Sequence, residues 1–417
     1  MMLKLKPVTG MRDIMPEEMV VRDWCVSKIK ETYSKYGFTP IDTPSVESYE
    51  NLHSKEGGDN EKLIFGILKR GEKLKLEEAK CEADVSDSGL RYDLTVPLVR
   101  YYSCHKEELP SPFKALQIGN VWRADRPQKG RFRQFTQCDI DILGDPTDLA
   151  ETELILATSE ALCNLGFKGF AVRINDRRLL RATALWAGFS EEDLEQVFII
   201  LDKMDKAGED SIPDMIEGAG YDRAAAEKWM SLYGEAKVSE DPVGLINEKI
   251  GEYREGCGID ELKEIMGCVN AVKDDRYDLV FDLSLVRGMS YYTGTVFEIS
   301  MPEYGGSCGG GGRYDEMVNR FSGQSVPACG FSIGFERIIM LLMDRGFKIP
   351  DEKKKEAWLI EKGTSPEKLS EIMKEAAKLR TEGRTVLTTA MKKNRKFQKE
   401  QLANSGYEEI RELFRDK

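Results

Sequence analysis

Histidine is the residue that this sequence has least of, with His53 and His105 as the two among 417 residues. Neither lies at the spacing of a zinc ligand, so we predict no zinc site and no histidine base. Nine cysteines occur without a CxxC pair, which indicates buried free thiols in a reducing cytoplasm. The chemistry of this protein must therefore rest on arginines and carboxylates.

Long apolar segments are also missing. No apolar run approaches the ~18 residues of a membrane span. The first residues, MMLKLKPVTGMRD, lack an apolar core and a small-residue cleavage site. We therefore predict a cytoplasmic protein that does not contact a membrane. The 417 residues, of which 41% are hydrophobic, are enough for a sizeable core and two or three domains.

The most informative segment is Trp122–Gly144, because it is cationic in a chain whose formal net charge is −12. Pro127 and Gly130 lie among its basic residues and predict a tight loop between two extended segments. Guanidinium groups pair bidentately with phosphate oxygens and Phe135 offers a stacking surface, so the hairpin suits a nucleotide with a polyphosphate tail. A solvated, charge-rich hairpin is the alternative. The basic residues are Arg123, Arg126, Lys129, Arg131 and Arg133, and Asp139 and Asp141 follow them.

A second segment, Phe281–Glu298, combines a glycine with aromatic hydroxyls. Gly288 follows Arg287 and precedes Tyr291 and Tyr292. A glycine here lets the backbone approach a ligand while the tyrosine hydroxyls reach its polar groups. Tyrosines that only pack in the core are the alternative.

A third segment begins with a glycine run, Gly309–Gly312, followed by a predicted strand, Ala328–Ser332, and a predicted helix, Ile333–Met343. Such a run is often only a flexible turn. Arg337 lies in the otherwise apolar helix, so its charge needs a partner. That partner is either a polyphosphate or a structural carboxylate such as the adjacent Glu336.

In this order and spacing the motifs resemble histidyl-tRNA synthetases, a family of class II aminoacyl-tRNA synthetases. The resemblance spans most of residues 7–345, and RGxxYYTG together with GGRYD is specific to this family and its regulatory paralogue. The matching segments are PVTGMRDIMPEE (Pro7–Glu18), GFTPIDTP (Gly37–Pro44), LRYDLTVPLVRYY (Leu90–Tyr102), the arginine hairpin, VRINDRRLL (Val172–Leu180), RGMSYYTG (Arg287–Gly294), GGRYD (Gly311–Asp315) and GFSIGFERI (Gly330–Ile338).

The resemblance implies an α+β fold, in which a class II synthetase antiparallel sheet is flanked by helices and carries a helical insertion and a small α/β C-terminal domain. The helix that Pro16 opens and the extended segment Thr39–Ser45 imply a homodimer contact, with an ordinary edge strand as the alternative. The C-terminal domain shows a β-α-β-α order, and the sequence ends before the family's final strands. The expected divisions are residues 1–175 and 274–345 for the catalytic domain, 176–273 for the insertion and 352–417 for a shortened anticodon-binding-like domain.

The activity that the resemblance implies is histidine–tRNA ligation. Histidine reacts with ATP, accompanied by Mg²⁺, to give histidyl-adenylate and pyrophosphate, and the histidyl group passes to the 3' end of tRNA(His). The expected partners are L-histidine, ATP and tRNA(His), and no protein ligand of a metal is predicted. The alternative is the regulatory subunit of ATP phosphoribosyltransferase, a non-catalytic histidine-binding paralogue that has lost parts of the arginine set kept in this chain.

The resemblance also assigns roles to residues. Arg123 and Arg287 match catalytic arginines on opposite sides of the α-phosphate. Asp125 replaces the commoner Glu at the adenine end, and Ser290 replaces a common Asp to which no chemistry is assigned. The expected ATP-binding residues are Arg123, Asp125, Arg131, Phe135 and Arg337, and the expected histidine-binding residues are Asp93, Thr95, Gln137, Asp141, Arg287, Tyr291, Tyr292 and Tyr314.

Overall fold

The structure, a computed structural model, describes residues 5–53, 63–128, 130–288, 291–350 and 354–416. The chain divides into two compact units, Met1–Ile14 with Arg22–Arg345 and Met15–Val21 with Gly346–Lys417. None of the described helices is both long enough and apolar enough to cross a membrane. The division into catalytic, insertion and C-terminal domains stays a prediction.

Strands of the larger unit supply the frame on which the other elements pack. They are β1 (Thr39–Pro40), β2 (Val46–Ser48), β3 (Phe65–Leu68), β4 (Ser86–Leu90), β5 (Phe113–Trp122), β6 (Gln134–Leu143), β7 (Phe170–Asp176), β8 (Tyr277–Phe281), β9 (Thr295–Met301), β10 (Gly306–Arg313) and β11 (Ala328–Ile333).

Eight of these strands form one sheet in the order β1-β5-β6-β11-β10-β9-β7-β8. Its inner neighbours are antiparallel, whereas at the two edges β1 pairs with β5 and β7 pairs with β8 in parallel. The arginine hairpin joins β5 to β6, as the sequence predicted. β1 contains Pro40, which cannot donate to a ladder, and it lies at the sheet edge. The antiparallel fold class is confirmed, and β2, β4 and β3 form a second, small sheet.

Helices cover the sheet and fill the stretch between β7 and β8. Within the described residues before the C-terminal strands they are α1 (Pro16–Lys35), α2 (Tyr49–Leu52), α3 (Glu82–Val85), α4 (Thr95–His105), α5 (Leu149–Asn164), α6 (Arg177–Ala187), α7 (Leu194–Leu201), α8 (Met204–Ala207), α9 (Ile212–Gly218), α10 (Arg223–Val238), α11 (Pro242–Lys249), α12 (Ile259–Val272), α13 (Glu316–Ser322) and α14 (Phe335–Asp344).

Several of these helices begin at sequence signals that fix their first turn. The Asp176 side chain accepts a hydrogen bond from the Arg178 N–H at the start of α6, and Asp222 caps α10 in the same way. Asp241 caps α11, whose first residue is Pro242. Helices α6, α10 and α11 therefore start at aspartate caps, and helices α6 to α12 occupy the stretch between β7 and β8 where an insertion was predicted.

The glycine run is a strand and not a flexible turn. Gly309–Gly312 lies inside β10, hydrogen-bonded to β9 on one side and to β11 on the other. A Cβ atom at Gly311 would lie 2.0 Å from the Gly330 carbonyl oxygen. The neighbouring strand thus occupies the space that a side chain would need, and a residue with a Cβ could not keep this pairing.

A buried ion pair joins α1 to α14. Arg22 donates from Nη1 to Glu336 Oε2 at 2.8 Å and from Nη2 to Glu336 Oε1 at 2.6 Å. The Thr136 N–H on β6 also donates to Glu336 Oε1, at 3.1 Å. Since α14 packs against β6 and β10, Glu336 ties both helices to the sheet.

The cysteines are free, and all nine except Cys81, Cys104 and Cys268 are buried. The prediction of buried free thiols is therefore confirmed for six cysteines and is wrong about burial for Cys81, Cys104 and Cys268. The exposed three lie outside the sheet, before α3, in α4 and in α12.

The smaller unit contains a parallel sheet in the order β13-β12-β14, from β12 (Lys355–Ile360), β13 (Thr385–Ala390) and β14 (Tyr407–Leu413), with α15 (Pro366–Thr381) and α16 (Arg395–Asn404). The Ser365 hydroxyl caps α15 by accepting from the Lys368 N–H. β14 was not predicted, because its sequence YEEIREL is largely charged. Its Arg411 approaches the fully buried Glu356 at 3.3 Å, which accounts for a charged strand beside the central one.

Candidate active site

A cavity of about 1490 Å³ opens over one face of the large sheet. Its walls come from β6, β9, β10 and β11 and from α6 to α8 with their connections. Most residues predicted from the sequence meet here although they are far apart along the chain. The predicted residues that line it are Asp93, Thr95, Arg123, Arg131, Gln137, Asp141, Arg287, Tyr291, Tyr292 and Tyr314.

The floor of the cavity is a row of residues paired across neighbouring strands. Asp139 on β6 pairs with Ser332 on β11, and Ser332 pairs with Gly310 on β10. Gly310 pairs with Glu298 on β9, and Glu298 pairs with Arg173 on β7. All five residues line the cavity. The row thus runs from an acidic end to a side that carries arginines.

Glycines on this floor make room for side chains of the site. A Cβ atom at Gly330 would lie 2.0 Å from Asp141 Oδ1, and one at Gly310 would lie 2.8 Å from Arg287 Nη1. A real Cβ at Gly330 would displace the Asp141 carboxylate, and one at Gly310 would displace the Arg287 guanidinium. The glycines therefore leave room for the side chains of Asp141 and Arg287.

Three buried aspartates form the acidic end. Asp139 accepts a hydrogen bond from the Ser332 hydroxyl at 2.5 Å, and Asp141 accepts one from the Tyr314 hydroxyl at 2.5 Å. Asp93 is buried with them. Among the described residues, Asp141 Oδ2 has no hydrogen-bond partner, which leaves an acceptor at this end of the cavity.

Burial makes these aspartates reluctant to ionise. Burial raises the pKa of Asp93 to about 6 and that of Asp141 to about 7, although the Tyr314 hydroxyl opposes the second shift. The pKa of Asp139 is raised well above its ordinary value, first by burial and then by the charge of Asp141. A cation entering this end would favour the ionised carboxylates, so the cluster is suited to a cationic group.

Aromatic hydroxyls form the wall above the aspartates. The Tyr291 ring lies 5.0 Å from the Tyr292 ring and 5.8 Å from the Tyr314 ring, measured between centroids. Burial raises the pKa of all three hydroxyls, so they remain protonated donors at neutral pH. Tyr314 donates its hydroxyl to Asp141, and Tyr291 and Tyr292 line the cavity beside it.

The hairpin arginines lie on another side of the cavity. Arg123 donates from Nε to the Tyr92 carbonyl oxygen at 2.9 Å, and its guanidinium carbon lies 5.0 Å from the Phe135 ring centroid. Arg131 pairs with Asp125 at 3.0 Å. Phe135 and Asp125 do not line the cavity themselves, but each contacts an arginine that does.

Arg287 is held at the rim of the glycine strand. Its Nε donates to Glu298 Oε2 at 2.6 Å, and its Nη2 donates to the Ser307 hydroxyl. The Arg337 guanidinium donates to the carbonyl oxygen of the same Ser307 and lies 5.4 Å from the Tyr304 ring centroid. Arg337 does not line the cavity, yet Ser307 links it to an arginine that does.

Glu336 is not the partner of Arg337. The Glu336 carboxylate is bound by Arg22, and burial, which alone would raise its pKa, is outweighed by these bonds, so that the pKa of Glu336 is lowered. The sequence offered Glu336 as a structural partner for the charge of Arg337, and that alternative is wrong. The role of Arg337 at a polyphosphate stays a prediction.

Other lining residues were missed as site residues. Asp139 alternates with Gln137 and Asp141 along β6, and the period of two could have placed it on the same face. Glu298 ends a segment singled out for its tyrosines, but its charge was not used. Arg173 lies in the matching segment VRINDRRLL but was given no role, and only the pairing of β7 with β9 brings it beside Glu298.

A largely antiparallel sheet with motif-bearing arginines and carboxylates over one face is the catalytic frame of a class II aminoacyl-tRNA synthetase. A histidyl-tRNA synthetase structure from Nostoc sp. PCC 7120 matches this fold with a TM-score of 0.78 and 28% identity, over 97% of this chain and 90% of that one. A structure from Bacillus halodurans C, described as an ATP phosphoribosyltransferase regulatory subunit/histidyl-tRNA synthetase, has a TM-score of 0.79 but 20% identity, over 100% of both chains, and shows the fold alone.

The family model of histidyl-tRNA synthetase matches residues 10–338. The histidine--tRNA ligase of Leifsonia xyli subsp. xyli is 43% identical over 358 residues, which cover 81% of this chain and 80% of that relative. The chain belongs to the histidyl-tRNA synthetase family. It is therefore an aminoacyl-tRNA ligase, and the resemblance first seen in its motifs is confirmed.

Proposed function

We propose that the cavity activates L-histidine with ATP and then transfers the histidyl group to the 3' end of tRNA(His). The observation that carries the proposal is the meeting, in one cavity, of a buried acidic end with an open acceptor and a side lined by arginines. The first end suits the cationic groups of histidine. The second suits the phosphates of ATP.

Histidine is selected at the acidic end. The α-ammonium group lies against Asp93 and Thr95, and Gln137 contacts the backbone of the substrate. Asp141 Oδ2 accepts an imidazole N–H, since Tyr314 already uses the other oxygen. A site built from buried polar groups rejects analogues that lack their partners far better than an apolar pocket does. Tyr292 contacts the imidazole ring of the substrate.

ATP is bound on the arginine side. Adenine stacks at Phe135 with Asp125 at its edge, Arg131 contacts the triphosphate, and Arg337 holds its far end. Mg²⁺ arrives as part of the ATP substrate on the β- and γ-phosphates, and we assign it no protein ligand. Support comes from the contacts Phe135–Arg123 and Asp125–Arg131, which place both residues beside the cavity.

The chemical step is an in-line displacement. A histidine carboxylate oxygen forms a bond to the α-phosphorus of ATP, the bond to the β-phosphate oxygen breaks, and pyrophosphate leaves with that electron pair. Arg123 and Arg287 lie on opposite sides of the α-phosphate and stabilise the charge that develops on its oxygens. A tRNA terminal ribose hydroxyl then attacks the carbonyl carbon, and AMP leaves.

The proposal also covers the assembly, the localisation and the remaining domains of the protein. The protein acts as a homodimer in the cytoplasm, with α1 and β1 at the dimer contact. Helices α6 to α12 form the insertion that contacts tRNA, and the C-terminal unit is an anticodon-binding-like domain. The non-catalytic regulatory subunit is disfavoured because Arg123 and Arg287 both line the cavity, and Arg337 is linked to Arg287 through Ser307.

Histidine-dependent exchange of pyrophosphate into ATP tests the first half of the reaction. Arg287→Ala is expected to lower the exchange rate by about 100-fold or more, the usual cost of removing a donor to a developing oxyanion. Arg254→Ala is the matched control, because Arg254 is an exposed arginine that pairs with Asp260 outside the cavity.

Charging of tRNA(His) tests the second half. If histidine binds in calorimetry but supports no exchange in the wild-type protein, the regulatory alternative replaces the proposed function. Exchange without charging would leave an amino-acid-activating enzyme and remove the transfer step.

A further inference from the structure

Two charged residues beside Arg287, Glu298 and Arg173, have none of the roles assigned so far. Glu298 on β9 stands between Gly310 on β10 and Arg173 on β7, because the three residues are direct partners across the sheet. All line the cavity. Arg287 reaches this row from the segment before β9.

The two oxygens of Glu298 serve two different arginines. Oε2 accepts from Arg287 Nε at 2.6 Å, and Oε1 accepts from Arg173 Nη1 at 3.2 Å. The Glu298 side chain is 12% exposed. A carboxylate this far from solvent needs charged partners, and each guanidinium supplies one.

Arg173 is fixed in turn by partners at the end of β8. Its Nε donates to Asp282 at 2.6 Å, and its Nη2 donates to the Ser284 hydroxyl at 3.3 Å. The Ser284 hydroxyl donates to the same Asp282 at 2.6 Å. Because all of these groups are bonded to one another, Arg173 has one orientation in which it can hold Glu298.

The arrangement leaves one edge of the Arg287 guanidinium for a ligand. Nε and Nη2 are used by Glu298 and Ser307. Nη1 has no hydrogen bond to any described residue, and it lies over Gly310, where a Cβ would be 2.8 Å away. Glycine at this position therefore keeps the free edge open toward the cavity.

We propose that Glu298 is a positioning residue for Arg287 and that Arg173 is a positioning residue for Glu298. Neither touches the substrates. They fix the guanidinium so that Nη1 points at the phosphate before ATP binds. The inference rests on the proposed function, because it needs Arg287 to act in histidine activation.

Glu298→Gln tests the first link. The amide keeps the size of the side chain but loses the charge that orients Arg287. We expect kcat for histidine-dependent pyrophosphate exchange to fall by about 10- to 100-fold, the scale of a misplaced catalytic group, while KM for histidine changes less than about threefold. Glu303→Gln is the matched control, since Glu303 forms an exposed pair with Arg345 outside the cavity.

Arg173→Gln tests the second link through a double-mutant cycle. Arg173→Gln alone is expected to lower kcat. In the Glu298→Gln background the same substitution is expected to lower kcat little further, because both residues act through Arg287. A purely structural role would instead give additive losses, with a matching fall in the unfolding midpoint. Additive losses in kcat overturn the proposal.

The outcomes separate this inference from the proposed function. A wild-type protein without exchange contradicts the proposed function. Wild-type exchange with an unchanged kcat in Glu298→Gln overturns the positioning role alone. If Glu298→Gln does not fold, Glu298→Asp decides, because it keeps the charge and is shorter by a methylene. A folded Glu298→Asp with wild-type kcat overturns the proposal, and one with a lowered kcat and normal histidine KM supports it.

Discussion

At the scale of the residue, the proposed function makes Asp141 the side chain on which histidine selection depends most. One of its oxygens is bonded to Tyr314, and the other has no partner among the described residues. Burial raises the pKa of Asp141 to about 7 from its ordinary value of 3.8. Its protonation therefore changes within the physiological range, and with it the ability to accept an imidazole N–H.

We predict that histidine affinity falls as the pH drops below about 7, where Asp141 gains a proton. Asp141→Asn is expected to weaken binding at pH 8 by about 10-fold or more, the loss of a hydrogen bond to a charged group. Asp141→Asn should also remove the part of the pH dependence of histidine affinity that the titration of free histidine does not account for. Calorimetric titration between pH 6 and pH 8 measures both effects.

The exposed Asp278, changed to Asn, is the control for the Asp141 variant and should keep the wild-type profile. Ionising Asp141 opposes folding, because its pKa is higher in the folded chain. The free energy of unfolding should thus decrease as pH rises from the ordinary aspartate value toward about 7, and Asp141→Asn should lack this decrease. A variant whose binding keeps the full wild-type pH profile would refute the assignment of Asp141.

At the scale of the element, the pair Arg22–Glu336 joins a long N-terminal helix to the helix behind the glycine strand. Both side chains are buried, at 7% and 8% exposure. Breaking such a pair leaves an uncompensated charge, whereas exposed pairs contribute little. The position of α14 against β6 and β10 therefore depends on this contact.

Arg22→Met is predicted to lower the free energy of unfolding by about 3 kcal/mol, because Glu336 stays buried with Arg12 as its remaining charged partner. Since the pKa of Glu336 is lowered, the stability from the pair is present above the ordinary glutamate pKa and is lost as pH falls through the lowered value. Urea denaturation at neutral and acid pH measures this.

Lys28→Met on the same helix is the control for Arg22→Met. Lys28 pairs with the exposed Glu31, so its loss should cost less than about 1 kcal/mol. Equal effects of the two substitutions would mean that the buried pair contributes no more than a surface pair.

At the scale of the whole molecule, the formal net charge of −12 repels the phosphates of a nucleic acid. Contacts to tRNA must therefore come from local groups of basic side chains. Contacts to phosphates release counterions and weaken as salt rises. The histidine binding that we propose, in a buried acidic cluster, is screened much less. The two substrates are therefore expected to respond to salt in different ways.

We predict that KM for tRNA rises about 5-fold or more between ~50 and ~200 mM salt, while KM for histidine in pyrophosphate exchange changes less than about twofold. Steady-state charging assays at varied salt, with exchange assays on the same preparation as the reference, measure the difference. A tRNA KM that does not change with salt would contradict phosphate contacts as the main source of tRNA affinity.

The resemblance implied the α+β class, and the residues themselves predicted the arginine hairpin between two strands and the edge position of the proline-containing strand. The hairpin and the edge position depend on neighbours in the chain, because turn residues and proline act over a few positions. The motif residues also pointed to the family, which the comparisons confirm. The strand β14 was missed, because its charges follow no strand pattern and are accounted for only by the buried Glu356 beside Arg411.

The sequence by itself determined which chemical groups are present and which local elements carry them. Only the tertiary structure decided that Gly309–Gly312 is a strand, that Glu336 belongs to Arg22, and that Arg173 stands beside Glu298. For Glu336 the physical reason is the packing of α14 beside α1, and for the glycine run and Arg173 it is strand register. Pairing across the sheet brings together residues that are far apart along the chain, and no local pattern contains the positions of those partners.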